Sequence, residues 1–186
     1  IMPSLVGSEM CIRDRRIVSL VPSQTELLLD LGLKDRLLGI TKFCVHPKNL
    51  QNEKKVVGGT KSIHIDKIEA LKPDIILCNK EENTKEMVTE LEKIAPVHVS
   101  DISNTSDALQ LIKEYGEIFR MPENAQNLVC SIENKIEILS KEIQHKKWKS
   151  CIYLIWKDPY MAAGKDTFIN ELLQLNKLEN KIDENR

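Results

Sequence analysis

The sequence predicts an α/β protein with two lobes joined by one long, rigid helix, the second lobe being truncated. Three observations lead to this fold class. Short apolar runs alternate with helical segments from Arg16 to about residue 120. A polar helix of domain length follows, and a second strand–helix pattern begins after it. Strands that alternate with helices over short connections are typical of a parallel, twisted sheet.

The bulk composition excludes several classes of partner. The chain has 186 residues, of which 41% are hydrophobic and 30% charged, with a net charge of −1. This balance gives no electrostatic reason to bind nucleic acid, and aromatic residues at 4% are too few for a base-stacking platform. No apolar run approaches the roughly 20 residues that span a bilayer. We therefore expect no nucleic acid partner.

The two ends of the chain and its cysteines give little information about the fold. Residues 1–15 follow neither pattern and resemble a translated library adapter, so we interpret them as non-native. The chain stops in the polar stretch Asn176–Arg186, which indicates a fragment. Scattered cysteines without a CxxC motif usually behave as small buried hydrophobic residues, and they leave a cytoplasmic location open. They are Cys44, Cys78, Cys130 and Cys151.

The first predicted element is a strand over Arg16–Val21, ended by a proline. Its apolar residues lack a helical period, which favours a strand buried on both faces. Ser23 with Glu26 three residues later predicts a capping box at the start of a helix, and Gly32 predicts its end. Leu37–Thr41 is the second strand.

The same alternation fills the rest of the first lobe, residues 16–120. The predicted strands are Val56–Thr60 (a short strand or a turn), Asp74–Cys78 and Val97–Val99. The predicted helices are Asp66–Leu71, Thr84–Ile94 with Asn83 as its cap, and one opened by Ser103 or Ser106 that reaches Phe119.

A long helix over residues 121–147 is predicted to form the rigid backbone between the lobes. Pro122 suits its first position, and apolar residues at three- and four-residue steps give it one buried stripe. These residues are Leu128, Val129, Ile132, Ile136, Leu139 and Ile143. The second lobe, residues 148–186, is predicted to begin with the strand Ser150–Trp156, the loop Lys157–Lys165 and a helix capped by Asp166.

Four sequence blocks resemble one family. They are Arg16–Leu27, Leu37–Thr41, Ile68–Leu77 and the turn 163–168. Together they resemble the substrate-binding proteins of cobalamin and iron-siderophore ABC transporters, over Arg16 to about Leu175. The resemblance implies two Rossmann-like lobes around a cleft that captures a metal chelate or corrinoid, namely an iron-siderophore, haem or cobalamin.

Further expectations follow from this resemblance. It implies delivery of the ligand to an ABC permease, no catalysis and no resident cofactor. It also implies a monomer that is periplasmic or anchored outside the cytoplasmic membrane. A metal chelatase-like enzyme on the same scaffold is the alternative, for which only His46 offers a suitable side chain in the first lobe. A reductase would need clustered cysteines, and a dinucleotide enzyme would need a GxGxxG turn.

Ligand contacts are expected from the loops that follow the strands. Ser23 and Gln24 either bind the ligand or serve the helix start. Phe43 matches an aromatic position that faces the corrin plane in cobalamin receptors of the family. Cys44 and His46 are either weak candidates for metal ligands or a packed thiol and a turn residue.

The next two loops contribute Thr60 with Lys61, and Asn79 with Lys80. Corrin-binding relatives carry large aromatic residues at the positions that match Thr60 and Asn79. Both residues are small and polar here, which favours a more polar ligand such as an iron chelate. Lys42, Lys61 and Lys80 either surround an anionic ligand or are simply solvated.

The second lobe and the docking surface complete the predicted site. Trp156 at a strand end and Tyr160 in the following loop offer flat faces with polar edges, although Trp156 also fits a core position. In this family an acidic residue on each lobe pairs with permease arginines. Asp66 matches that position in the first lobe, and Glu69 is the second choice; a local role at the helix start is the alternative.

Overall fold

A computed structural model describes residues 15–185 and divides them into two compact units. The first unit contains residues 15–100 together with Tyr115–Met121, and the second contains Asp101–Glu114 together with residues 122–185. The adapter-like interpretation of residues 1–15 concerns a segment that, apart from its last residue, lies outside the described residues. The lobe boundaries drawn from the sequence stay predictions.

The first unit is built on a five-stranded parallel sheet of order β3-β2-β1-β4-β5. The strands are β1 Ile17–Ser19, β2 Leu37–Ile40, β3 Lys55–Val56, β4 Ile75–Asn79 and β5 Val97–Ser100. Ile17 is paired with Leu37 on one side and Ile75 on the other. The predicted parallel sheet is confirmed. The strand order of the sheet reverses between β1 and β4. Open α/β sheets bind their ligands at such a point, outside the carboxyl ends of the strands.

Helices connect the strands and cover an apolar core. They are α1 Pro22–Asp30, α2 Leu50–Glu53, α3 Ile65–Leu71 and α4 Lys85–Leu91, followed by α5 Thr105–Ile118, whose residues are divided between the two units. All of β1 and the first four residues of β4 are buried, as a strand covered on both faces requires. One core cluster consists of Val18, Leu20, Val57, Ile68, Ile76, Cys78, Leu91 and Ala95.

The predicted capping box at Ser23 is wrong. Helix α1 begins at Pro22, its N-cap is Val21, and Ser23 is an exposed residue of the first turn. The reason is the proline, whose fixed φ is suited to the first helical position and starts the helix one residue early. The predicted helix end is confirmed, because Gly32 follows the helix with a φ of 81°.

Three further caps lie one residue or more from their predicted positions. The observed caps are Thr84 instead of Asn83, Asn104 instead of Ser103 or Ser106, and Thr167 instead of Asp166. In each helix the neighbouring residue also carries a side chain suited to capping, so the local sequence does not distinguish them. Asn83 is instead used for contacts between loops, which are described below.

The second unit contains α6 Pro122–Ile143, a helix of 22 residues and therefore about 33 Å long. Its start at Pro122 and its apolar stripe are confirmed, with Val129 and Ile143 buried. The remaining elements are β6 Lys149–Cys151, β7 Leu154–Trp156, β8 Met161–Ala162, α7 Phe168–Leu175 and β9 Leu178–Asn180. Among residues 15–185, no helix combines the length and apolar character needed to cross a membrane.

The single strand predicted over Ser150–Trp156 is wrong. It is divided into β6, which pairs with β9 in parallel, and β7, which pairs with β8 in an antiparallel hairpin. The predicted loop Lys157–Lys165 contains β8, and the polar stretch after α7 contains β9. A strand is divided in this way when its two halves find different partners. The two partner strands, of two and three residues, are too short to be recognised from sequence.

Candidate ligand-binding site

Three loops predicted to bind the ligand meet at the carboxyl edge of the first-unit sheet. The Lys42 amide donates to the Gly58 carbonyl oxygen at 2.7 Å, which joins the loop after β2 to the loop after β3. The Asn83 side-chain amide donates to the Thr60 carbonyl oxygen at 2.8 Å, which joins the loop after β3 to the loop after β4. One backbone contact and one side-chain contact therefore place the three loops side by side.

Phe43 and Lys42 form an exposed platform in this edge. The Phe43 ring is 50% exposed, and the Lys42 Nζ atom lies 5.1 Å from its centroid, within the range of a cation–π contact. Gly59 lies against both side chains: a Cβ atom there would be 3.3 Å from the Phe43 ring and 3.4 Å from Lys42 Cε. The platform thus offers an aromatic face and a positive charge to solvent.

Cys44 and His46, the weak metal-ligand candidates, do not share a site. Cys44 is 2% exposed, and its Sγ atom lies 3.3 Å from the hydroxyl oxygens of Thr25 and Thr41. His46 is exposed. Within the described residues, no group of three or more His, Cys, Asp or Glu side chains is placed to hold a metal ion. Cys44 therefore serves as a packed thiol that orients the start of its loop.

Gln24 is a buried residue behind the sheet edge. It is 3% exposed, and its amide donates to the Cys78 carbonyl oxygen at 3.1 Å and to the Ser100 hydroxyl. Its side-chain oxygen accepts a hydrogen bond of 2.9 Å from the Tyr115 hydroxyl. Both ends of the amide are thus used inside the first unit. This fits the structural alternative for Gln24, and its contact with a ligand stays a prediction, as does that of Ser23.

Asn79 is also engaged within the first unit. Its side-chain amide donates to the Ser100 hydroxyl at 3.2 Å, and its side-chain oxygen accepts from the Glu81 amide at 2.8 Å. Lys80 is exposed beside it, with its backbone amide bonded to the Ser100 carbonyl oxygen. The charge at this loop is therefore displayed by Lys80, while Asn79 holds the loop in shape.

The edge also carries a carboxylate that the sequence pattern did not indicate. Burial raises the pKa of Glu82, the neighbouring Glu81 charge raises it further, and the Lys61 ammonium opposes both effects. Lys61 itself is exposed, and Thr60 is half-buried. Lys61 therefore stands in the field of an acid, and Lys42 stands over a neutral ring. The two lysines are not equivalent as anion-binding groups.

The remaining candidates lie elsewhere. Trp156, at the end of β7, is 63% exposed, and Tyr160, before β8, is 69% exposed, so neither is packed in a core of the described residues. Both belong to the β7–β8 hairpin of the second unit. Asp66 and Glu69 are exposed on α3 of the first unit. Their docking role stays a prediction.

Two buried residues of the edge, Ser100 and Tyr115, were missed from sequence. Ser100 ends β5, so the rule that strand ends carry the site could have found it. Tyr115 lies 91 positions from its partner Gln24 and in the last turn of α5, and no local signal connects them.

An open parallel sheet with exposed lysines and an exposed aromatic ring at its carboxyl edge is typical of small-molecule binding proteins. The family assignment agrees with it. Residues 17–186 match the model of the periplasmic binding protein family, and the chain belongs to that family.

Several relatives are similar over most of this chain. An uncharacterized ABC transporter substrate-binding lipoprotein of Bacillus subtilis is 30% identical over 169 residues, covering 87% of this chain and 53% of the relative. The chain thus spans about half the length of that protein.

Solved structures share the fold. A possible iron-binding (periplasmic solute-binding) protein of Staphylococcus epidermidis has a TM-score of 0.79, 24% identity and coverage of 92% of this chain and 68% of its own. The periplasmic vitamin B12 binding protein of Vibrio cholerae has a TM-score of 0.83 and 21% identity, and the match covers 92% of this chain and 68% of that protein's chain. A periplasmic heme-binding protein of Pseudomonas aeruginosa has a TM-score of 0.83 and 19% identity, and the match covers 92% of this chain and 64% of that protein's chain. At these identities the similarity shows the fold alone.

Proposed function

We propose that this chain belongs to the substrate-binding component of an ABC transporter, which captures a metal-containing ligand outside the cytoplasmic membrane and delivers it to a permease. The family and the names of its relatives support this role, since these relatives include an ABC transporter lipoprotein and proteins that bind vitamin B12 and heme. The proposed ligand is an iron chelate, haem or a corrinoid.

The observation that carries the proposal is the platform at the carboxyl edge of the first unit. Phe43 is half-exposed although its ring is fully apolar, and the Lys42 ammonium lies above it. Exposed aromatic residues with adjoining charge are typical of sites that bind flat, charged molecules. Trp156 and Tyr160 supply two further exposed aromatic side chains in the other unit.

Within the proposed ligands, the edge favours an anionic iron chelate over a corrinoid. Thr60 and Asn79 stand where corrin-binding relatives are expected to carry large aromatic residues, and the Asn79 side chain is already bonded to Ser100 and Glu81. Lys42, Lys61 and Lys80 are exposed around the same edge. A carboxylate or catecholate chelate would gain charge-assisted hydrogen bonds from these groups.

Delivery requires docking to the permease, for which we propose Asp66 and, as second choice, Glu69. Both carboxylates are exposed on one short helix of the first unit. An exposed acid that pairs with a partner's arginine gains association rate through charge complementarity. The chelatase alternative gains no support, because the reported relatives are all named as binding proteins.

A fluorescence titration tests the proposal. The full-length protein is titrated with ferric tris-catecholate, ferric citrate and cyanocobalamin, and the emission of Trp148 and Trp156 is followed. We expect saturable quenching with a ferric chelate, reduced in Trp156→Phe and retained in Trp148→Phe. An emission that stays unchanged with every probe, in a folded protein, would contradict the proposed function.

A further inference from the structure

Asn83 connects two of the loops at the sheet edge through its side chain alone. Its Oδ1 atom accepts a hydrogen bond of 2.8 Å from the Asn79 amide, and its Nδ2 atom donates one of 2.8 Å to the Thr60 carbonyl oxygen. Its own backbone amide donates to the Asn79 carbonyl oxygen at 2.9 Å. Asn83 is 6% exposed, so these bonds are shielded from water.

An amide is required for this arrangement. The position needs one acceptor toward a backbone N–H and one donor toward a backbone C=O, and among short side chains only asparagine supplies both in one plane. Asn83 is free to do so because Thr84 caps α4, accepting from the Met87 amide. The cap and the loop contact are therefore made by adjacent residues with separate tasks.

The base of the loop that Asn83 holds is bonded to the loop after β2, through the Gly58 carbonyl oxygen, and Asn83 is bonded to its tip. Residues 58–62 form a tight turn, closed by a 2.6 Å hydrogen bond from the Gly59 amide to the Ser62 carbonyl oxygen. Thr60 is the tip of this turn, and its carbonyl oxygen receives the Asn83 donor. Removal of that donor would leave the tip without the bond that fixes it beside the loop after β4.

We propose that Asn83 is a positioning residue that holds the Thr60–Lys61 loop against the Asn79–Lys80 loop, so that both present one continuous surface to the ligand. As far as ligand binding is concerned, this rests on the proposed function. Asn83 does not touch the ligand in this arrangement. It sets the spacing of the lysines on either side, and thereby the size and charge separation of the chelate that the edge accepts.

Hydrogen exchange measured by mass spectrometry on the 186-residue chain tests the positioning role without any ligand. Asn83→Asp keeps the acceptor toward the Asn79 amide and replaces the donor toward Thr60 with an oxygen. We expect the Gly59 and His64 amides to exchange about tenfold faster, since the Thr60 carbonyl oxygen loses the partner that fixes the tip of the turn. The control Thr84→Ala should speed exchange in residues 85–91 and leave residues 58–64 unchanged.

Ligand affinity gives the second readout, with ferric tris-catecholate as the probe and the uncharged Asn83→Ala variant of the full-length protein. We expect about tenfold weaker binding in Asn83→Ala and wild-type affinity in Thr84→Ala. Unchanged exchange at residues 58–64 in Asn83→Asp, or an equal increase throughout the first unit, would overturn the inference. So would unchanged affinity in Asn83→Ala. If the wild type binds no probe, the proposed function fails, and the exchange result still decides the role of Asn83.

Discussion

The Tyr115 hydroxyl donates a hydrogen bond of 2.9 Å to the Gln24 side-chain oxygen across 91 positions of sequence. Gln24 in turn donates to the Cys78 carbonyl oxygen and to Ser100, so one side chain joins α1, β4, β5 and α5. Tyr115 is fully buried, and its ring meets His98 and Phe119 edge-on at centroid distances of 5.4 and 5.5 Å. This buried network supports the sheet edge from within.

The Tyr115→Phe substitution tests the energetic role of that network. It removes only the hydroxyl and leaves the buried Gln24 oxygen without this donor, which costs about 1 to 3 kcal/mol. Urea unfolding should show this loss in the free energy of unfolding. Ser23→Ala, an exposed change on the same helix as Gln24, should alter it by less than about 0.5 kcal/mol. Equal stability of Tyr115→Phe and the wild type would refute the structural role.

Gly58→Ala should destabilise the loop after β3 far more than Gly59→Ala. Gly58 has a φ of 133°, and an added Cβ atom would lie 2.5 Å from the Ser62 carbonyl oxygen. The strained backbone alone costs about 1 to 3 kcal/mol. At Gly59 the nearest atoms belong to the Phe43 and Lys42 side chains, which can move. Thermal unfolding of both variants measures the difference; a Gly59→Ala variant that is less stable than Gly58→Ala would be inconsistent with this geometry.

The cysteines should differ sharply in reactivity. Burial raises the pKa of the Cys78 thiol to about 12, so at about pH 8 almost none of it is thiolate. Cys44 is buried as well, whereas Cys130 is exposed. In a Cys11→Ser background, iodoacetamide should modify Cys130 rapidly, and Cys44 and Cys78 only after unfolding. Mass spectrometry of native and urea-treated protein reads this out, and rapid native labelling of Cys78 would contradict the burial.

The start of α5 should make stability depend on pH. Hydrogen bonds from the Ser103 amide and hydroxyl and from the Asn104 amides lower the pKa of the Asp107 carboxyl below its ordinary 3.8. A lowered folded pKa means that the carboxylate stabilises the fold above 3.8, and that this contribution is lost as the pH falls through the folded value. Asp107→Asn should therefore be less stable than the wild type at about pH 7, with a difference that shrinks toward acid. A difference independent of pH would exclude this role of the charge.

The strand and helix order of the first unit could be predicted because its signals are local. Apolar runs such as Ile75–Cys78, the αL position at Gly32 and Pro122 at a helix start each depend on a few neighbouring residues. The position of the site loops at one edge of the sheet could also be predicted, because it depends only on the parallel direction of the strands.

The inward or outward direction of each polar side chain could not be predicted. Gln24 turns inward because Tyr115 lies behind it, and Cys44 turns inward toward Thr25. Asn83 was expected to cap a helix, yet its amide is bonded to a carbonyl oxygen 23 positions away. Such choices depend on partners that only the folded chain brings near. The division of the predicted strand Ser150–Trp156 has the same cause.

The most direct test of the proposed function is calorimetric titration of the full-length protein with ferric tris-catecholate and with cyanocobalamin. The wild type should bind the ferric chelate saturably and more tightly than cyanocobalamin. Lys42→Gln should weaken binding of the anionic chelate about tenfold, as expected for loss of one charge-assisted contact, and rising salt should weaken the wild type similarly. Equal or tighter binding of cyanocobalamin, unaffected by Lys42→Gln, would contradict an anionic chelate as the ligand. If neither compound gave any heat of binding, the receptor role itself would be contradicted.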